Sequence, residues 1–386
     1  MDQIDVRSVD TERDRAAFLR LPWVVYSDDP NWVAPLWREH VRHFDPGHNV
    51  ELRHIDFQPY VAWRGDRPVG TIIAHINRVF NETHRTRAGW FGQYEVLEDH
   101  EAGNALLQTA ENWVRERGAE LMLGPATFSS NSEFGLLIDG FETPPMIMMT
   151  HARPYYRQFI EQFGGYERAM DLWAWRIDSE GWGGTRVDKV PRRLTRVVEM
   201  IKAKSDFAIR TPNMKRFTDE VDHVKSIYND AFTANWGFVP ISDEEIDDIA
   251  GALKDIIDPH ISFFVEHGGR PIAFGLPLPN VYEPLHKIRC KPGEPHWLQL
   301  LRLLWQWKIR RGVTSVRIWA LGVLHEYRRL GADGLLYTEM IRAGLPRGYR
   351  TIEMSWVLAD NDNMNSAIRK LGATVEKTYR VYQKKL

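Results

Sequence analysis

The sequence predicts an α+β fold made of two tandem copies of one unit, and three observations carry that prediction. β-rich runs come in pairs joined by short turns: 57–63 with 68–76 through Arg64-Gly65-Asp66-Arg67, and 261–265 with 271–277 through Gly268-Gly269-Arg270. Between such pairs lie helical stripes, for example Leu106, Leu107, Ala110, Trp113 and Val114 closed by Gly118. The order then recurs at a nearly fixed offset. Arg7 and Arg210 are 203 residues apart, as are Arg67-Pro68 and Arg270-Pro271, while Phe163-Gly164 and Leu371-Gly372 are 208 apart.

Taken in order, 4–7 reads as a strand and 10–21 as a helix with Asp10 as its N-cap. Residues 27–49 have no regular period. After the first hairpin come a strand at 92–96, the helix at 105–117 and a strand at 121–123. The connection 124–154 is long and aperiodic, which in a compact domain often marks a functional loop. A helix at 155–163 and a strand with alternating aromatics at 171–177 complete the first copy, giving a first domain at 1–178. A glycine-rich stretch and a basic helix at 190–204 make a connecting segment, 179–205, and the second domain is 206–386. That domain carries a strand at 207–210, helices at 214–232 and 243–257, and the second hairpin. An insertion at 279–312 follows, with a Trp- and Leu-rich helix whose dense apolar cover predicts burial; its aromatic and basic content also fits a helix lying in a membrane surface.

Composition narrows the functional classes. A net charge of −2 with no block of like charge leaves no footprint for nucleic acid. One cysteine, Cys290, permits no intramolecular disulfide or thiolate cluster and suits a reducing cytoplasm; it is expected to be inert. The polar, acidic N-terminus is unlike a secretory signal, and no apolar run approaches the ~20 residues that span a bilayer. No His, Cys and Asp cluster has metal-ligand spacing, so no metal is expected. The 15 Trp, 17 Phe and 13 Tyr fit either large cores or a roomy apolar pocket.

The chemistry concentrates at 316–341. An apolar strand ending at Leu324 runs into a turn with Arg328, Arg329 and Gly331, and a helix with Leu335, Leu336, Met340 and Ile341 on one face follows. Strand, basic glycine turn and helix together aim backbone N–H groups, the helix dipole and guanidinium donors at an anion such as a phosphate. The corresponding turn of the first copy holds Glu98, Asp99 and Glu101, which would repel a diphosphate.

Arg328-x-x-Gly331 after a strand resembles the acyl-CoA loop of the GNAT acyltransferases, although Asp333 stands where Gly or Ala is usual. The ending also resembles that family: a strand at 351–358, an Asn-led helix in 360–373 closing in Leu371-Gly372, and a final strand at 374–384. Across nearly the whole chain the sequence resembles the tandem-GNAT group that includes bacterial ceramide synthases, through NSEFGLLIDGFETPP (131–145), IEMSWVLADN (352–361) and EKTYRVYQKK (376–385). Ala359 departs from the Glu expected in the second stretch.

The resemblance implies two GNAT domains, each a mixed, mostly antiparallel sheet flanked by helices, and transfer of a fatty acyl chain to an amine. A long-chain amine such as a sphingoid base is the acceptor it suggests. Acyl-CoA or acetyl-CoA would be the cosubstrate, with an acyl carrier protein as another possible donor. It would lie on Leu321, Val323, Arg328, Arg329, Gly331, Ala332, Gly334 and Asn363, with a backbone N–H near Val323 facing the thioester oxyanion. Glu353, in an apolar strand, is either a base with a raised pKa or a salt-bridged carboxylate. The tyrosine that many GNAT enzymes use as acid is replaced by Ile368. Tyr379 or Tyr382 on the last strand would then be either a substitute acid or a packed structural tyrosine. Asn131, Glu133, Asp139 and His151 would shape the acceptor pocket or else serve as turn and cap residues. Ile368 and Asp333 also leave room for a binding protein without turnover. The protein is expected in the cytoplasm, with peripheral contact to the inner membrane as an option.

Overall fold

One succession of strands and helices runs through both halves of the chain, as the offset predicts. In this computed structural model residues 2–179, 196, 198–201, 203 and 205–386 are described. The first succession is β1 (Ile4–Ser8), α1 (Glu12–Val25), α2 (Trp37–His43), β2 (Ile55–Arg64), β3 (Arg67–Asn77), α3 (Arg78–His84), β4 (Ala88–Val96), α4 (His100–Glu116) and β5 (Leu121–Gly124). Three short strands, β6 (Ala126–Thr127), β7 (Glu133–Phe134) and β8 (Leu136–Asp139), precede α5 (Tyr155–Phe163) and β9 (Glu167–Asp178). The second succession opens with β10 (Phe207–Arg210), α6 (Phe217–Phe232), α7 (Asp243–Leu253), β11 (Phe263–His267) and β12 (Arg270–Pro279). The insertion forms α8 (Tyr282–Ile288) and α9 (His296–Leu304). Then come β13 (Ser315–Val323), α10 (Ala332–Gly344), β14 (Thr351–Leu358), α11 (Asp362–Lys370) and β15 (Thr374–Lys385). Most of the helix expected at 190–204 lies outside the described residues.

Local chemistry sets the helix starts. Thr11, rather than Asp10, caps α1, its hydroxyl accepting the Asp14 N–H at 3.1 Å. Asp99 caps α4 through the Ala102 N–H. Ser242 and Glu245 form a reciprocal capping box at α7, which satisfies two N–H groups that would otherwise have no partner. Two elements differ from expectation. Residues 37–43 are helical although they show no period, and α9 is not buried: Trp297 is 63% and Leu301 57% exposed, while Gln299 is fully enclosed. Among the described residues no helix is long and apolar enough to cross a membrane.

The chain divides into two compact units that are not contiguous halves. Unit 1 comprises Met1–Leu172, Pro284–Arg310 and Lys377–Leu386; unit 2 comprises Trp173–Glu283 and Arg311–Glu376. The insertion and the last ten residues therefore group with the first copy, not with the 206–386 domain expected from sequence. In unit 1 the strands run β1-β2-β3-β4-β5-β15, antiparallel except for the β4–β5 pair. In unit 2 they run β9-β14-β13-β12-β11-β10, with β13–β14 parallel and β10 to β13 antiparallel. The core of unit 2 gathers α6, α10 and the sheet around Ile227, Phe274, Leu335, Leu336 and Ile368.

Each unit contains one parallel pair that stops early. In unit 1 the ladder covers Ala88↔Leu121 to Trp90↔Leu123, while β4 continues to Val96. The gap is filled by β6, which lies so close that a Cβ at Gly92 would sit 2.1 Å from the Ala126 carbonyl oxygen. The Gln93 N–H is taken by Thr127 Oγ1 at 3.1 Å. Because backbone, not a flexible side chain, opposes the added carbon, Gly92→Ala should lower stability by about 2–3 kcal/mol in urea unfolding. A change under a few tenths would mean that β6 does not hold this gap.

Candidate functional site

The equivalent gap in unit 2 has no such strand among the described residues. The β13–β14 ladder covers Ser315↔Thr351 to Ile318↔Met354 and stops, although β13 runs on to Val323 and β14 to Leu358. On the other flank β13 stays paired with β12, Val323 opposite Ala273 and Leu321 opposite Gly275. The Leu324 N–H donates to the Ile272 carbonyl at 3.0 Å. Antiparallel alternation then turns the N–H groups of Leu321 and Val323 the other way, into the open flank. The strand thus presents donors where a carbonyl oxygen or an amide chain could be received.

The turn after β13 is clamped. Asp230 Oδ2 accepts the His325 N–H at 2.7 Å, and Arg328 Nη2 donates to the Ala231 carbonyl at 2.7 Å, so both tie the turn to the end of α6. Arg329 is exposed, at φ 66°. Gly331 adopts φ 94° and starts α10; a side chain there would be strained and would meet Ile201 at 2.8 Å. No side chain caps the first turn of α10, Ala332-Asp333-Gly334, whose N–H groups and dipole form an anion seat. Asp333, half-buried in that turn, lies near Tyr337, whose hydroxyl titrates above its usual range through burial first and the Asp333 charge second. The two arginines therefore differ: Arg328 builds the turn and Arg329 is exposed.

Glu353 is enclosed. It is 0% exposed on β14; the Ser355 hydroxyl donates to its Oε1 at 2.6 Å and accepts from Arg317 Nε at 2.8 Å. Arg317 is itself buried and lies over the Trp356 ring. Glu353 thus lies in a chain of hydrogen bonds that runs through Ser355 to Arg317 on β13. Asn363 is exposed on the first turn of α11. The asparagine that anchors this helix is Asn365, which donates to the Leu358 and Ala359 carbonyls and accepts from Trp175 Nε1 at 2.9 Å. Ile368 is fully buried in the core.

Beside β13 unit 2 also holds an apolar cavity that is partly open to solvent. Tyr228 of α6, Ile246, Ala250 and Leu253 of α7, Phe264 and Phe274 of the sheet, and Trp319 of β13 line it. Trp319 is four residues before Val323, so the wall of the cavity and the free N–H groups share one strand.

The remaining candidates lie in unit 1, where Tyr26 contacts the His151 ring and the Glu133 charge acts on Glu95. Glu133 and Asp139 are exposed, on β7 and β8. Asn131 sits in a turn, its N–H accepted by Ser129 Oγ. His151 is bonded to Asp29 through Nε2 at 2.9 Å. Tyr379 is fully buried, and the Tyr382 hydroxyl donates to Glu161 at 3.1 Å, which with burial raises its pKa. Both tyrosines belong to unit 1, not to the unit bearing the turn. Sequence reasoning missed Glu95 on β4. Burial pushes its carboxyl up to about 8, opposed by hydrogen bonds from Tyr26 and from Tyr156, the latter at 2.8 Å. A charged residue in a strand otherwise rich in aromatics was the available signal. Among the described residues no group of three His, Cys, Asp or Glu could hold a metal.

No family profile matches the chain. It is 34% identical over 385 residues to Protein YghO of Escherichia coli (strain K12), covering 99% of this chain and 95% of that protein. It is also 34% identical over 388 residues to the bacterial ceramide synthase of Caulobacter vibrioides, covering 99% and 98%. Among solved structures it resembles a tandem GNAT protein from the clavulanic acid biosynthesis pathway, at 11% identity and TM-score 0.56, over 99% of this chain and 98% of that one. A GCN5-related N-acetyltransferase from Sphaerobacter thermophilus matches at 13% identity and TM-score 0.50, over 100% and 96%. The solved structures, at such identities, establish the fold alone.

Glu95 makes a measurable pH signature. Its folded-state pKa of about 8 exceeds the ordinary 4.5, so the native state keeps a proton that the unfolded chain has released between those values. The stability due to this group is present at low pH and is lost as pH rises through that window. Glu95→Gln should therefore match the parent near pH 4 and exceed its stability near pH 9 by on the order of 1–2 kcal/mol. Parallel stability curves for the two proteins would refute the raised pKa.

Proposed function

The chain belongs to the tandem GNAT acyltransferase group that includes bacterial ceramide synthase, and on that premise we propose that it moves a fatty acyl chain from acyl-CoA to a long-chain amine. The observation that carries this reading is the apolar cavity on β13, in the same unit as the clamped Arg328 turn. A chain gains about 0.8 kcal/mol for each methylene it buries, so a sustained wall of Phe, Ile, Leu and Trp favours long over short chains. The relative from Caulobacter vibrioides, by its name a ceramide synthase, supports a lipid amine as the acceptor.

In this reading the diphosphate of CoA lies on the start of α10 with Arg329 beside it. The carrier's amide-bearing arm runs up the open flank of β13, and the thioester carbonyl faces the N–H groups of Leu321 and Val323. The amine attacks as its neutral form. A C–N bond forms, and the negative charge on the carbonyl oxygen is held by those N–H groups. The C–S bond then breaks, the thiolate takes a proton, and the proton shed by the amine leaves through water. With Ile368 in the core and Glu353 enclosed, positioning supplies most of the acceleration.

Four measurements test the reading. Calorimetry with palmitoyl-CoA should give one site per chain, weakened about 5–20-fold by Arg329→Ala, as loss of a charge-assisted contact implies. Arg328→Ala should instead lower the unfolding midpoint, because it frees the turn from α6. Ala250→Trp, which fills the cavity, should shift preference from palmitoyl- to acetyl- or octanoyl-CoA. Mass spectrometry of products from sphinganine and from spermidine then identifies the acceptor. Two equal CoA sites would defeat the assignment to unit 2, and turnover with polar amines only would defeat the lipid acceptor.

A further inference from the structure

In α9 the usual pattern of burial is inverted. Gln299 faces inward, its Oε1 accepting the Trp37 N–H at 3.0 Å and its Nε2 donating to the Lys291 carbonyl at 3.2 Å. Arg302 is held to Glu294 and to the Ile288 carbonyl. The apolar side chains point out: Trp297, Leu301, Leu304, Trp305 and Ile309 are 63, 57, 47, 57 and 64% exposed. Their spacings of four, three, one and four keep them on one side of α9 and of the turn Trp305–Ile309 that continues it. The other large exposed apolar side chains among the described residues are Val24, Met200, Leu330 and Val375. The charge around this patch is one-sided. Lys287, Arg289, Lys291, Lys308 and Arg310 are exposed, and the acid of this stretch, Glu294, is engaged by Arg302. That is a strongly basic island in a chain of net charge −2.

We propose that α9 and the turn after it dock this protein on an anionic lipid bilayer, the indoles and aliphatic chains entering the headgroup boundary and the cations meeting lipid phosphates. The chemistry selects this occupant. Trp, Leu and Ile flanked by Lys and Arg is the composition of helices that lie in a membrane interface. A second copy placed across a two-fold axis would bring the same cations face to face. An acidic protein partner would be served by the cations but gains little from two protruding indoles. The proposal stands apart from the acyl-transfer reading, since neither Arg329 nor the cavity takes part in it.

Flotation of the full chain with vesicles tests it. The protein should rise with phosphatidylcholine vesicles containing about 30% phosphatidylglycerol, and about ten-fold less with phosphatidylcholine alone or at high salt. The triple variant Trp297→Ser, Leu301→Ser, Trp305→Ser should lose about ten-fold or more of that binding while keeping its far-ultraviolet dichroism and melting temperature. Lys308→Glu with Arg310→Glu should lose it by a comparable factor, whereas Val375→Ser, at an exposed apolar site elsewhere, should not. Failure to float with any vesicle, or binding unchanged by both variants, overturns the proposal. So does sedimentation of the parent as a dimer that the triple variant dissolves.

Discussion

A parallel ladder that ends while at least one of its strands runs on is the constraint on which both units are built. A strand edge inside a domain cannot leave its N–H and C=O groups without partners, so something must fill the gap. In unit 1 the chain itself does so: β6 comes within contact of Gly92, and Thr127 takes the Gln93 N–H. In unit 2 the N–H groups of Leu321 and Val323 face a flank that the ladder has left. One duplicated framework has thereby become a closed copy and an open one. The acidic turn of the first copy agrees, since Arg64 already engages Asp99 and Glu101 at the start of α4.

Holding the open copy in shape falls to a small set of polar groups. Asp230 and Arg328 fix the turn to α6, Asn365 fixes α11 to the end of β14 and to Trp175, and the Arg317–Ser355–Glu353 chain of hydrogen bonds lies beneath β13 and β14. Apart from the exposed Asp230, each is a buried or half-buried polar group with a partner in place, so each gives direction where apolar packing alone would allow sliding. The turn before α10 is therefore held in place by the protein's own groups.

Much of this was legible in the sequence, for definite reasons. Duplicated anchors survived because they do the same local work twice: Arg67-Pro68 and Arg270-Pro271 open β3 and β12, and Phe163-Gly164 and Leu371-Gly372 end α5 and α11. The strand–turn–helix around Gly331 was legible because glycine, arginine and apolar periodicity each have their own physical cause. What failed was the choice among equal neighbours. Nothing in Arg328-Arg329, or in the asparagines at 361, 363 and 365, tells which side chain turns inward; only packing against α6 and Trp175 decides it. Glu95 escaped notice because its raised pKa comes from burial, which only the folded chain creates and which Tyr26 and Tyr156 oppose. The burial expected for α9 failed because an apolar helix has no distinguishable inner face until Gln299 finds the Trp37 N–H.

The grouping of Lys377–Leu386 with unit 1 has a consequence in time. Gly124 of β5 pairs with Tyr382 of β15, and the buried Lys377 ammonium donates to the Gly140 and Thr143 carbonyls. At a ribosomal pace of ~5–20 residues per second, β5 waits roughly 13–50 s for the strand that covers its edge. During that interval the nascent first unit carries an unpaired edge beside an apolar sheet, a target for chaperones and for misassociation on crowded polysomes. The order of synthesis thus makes the last strand a checkpoint, and the first unit matures only after nearly all of the second has left the ribosome.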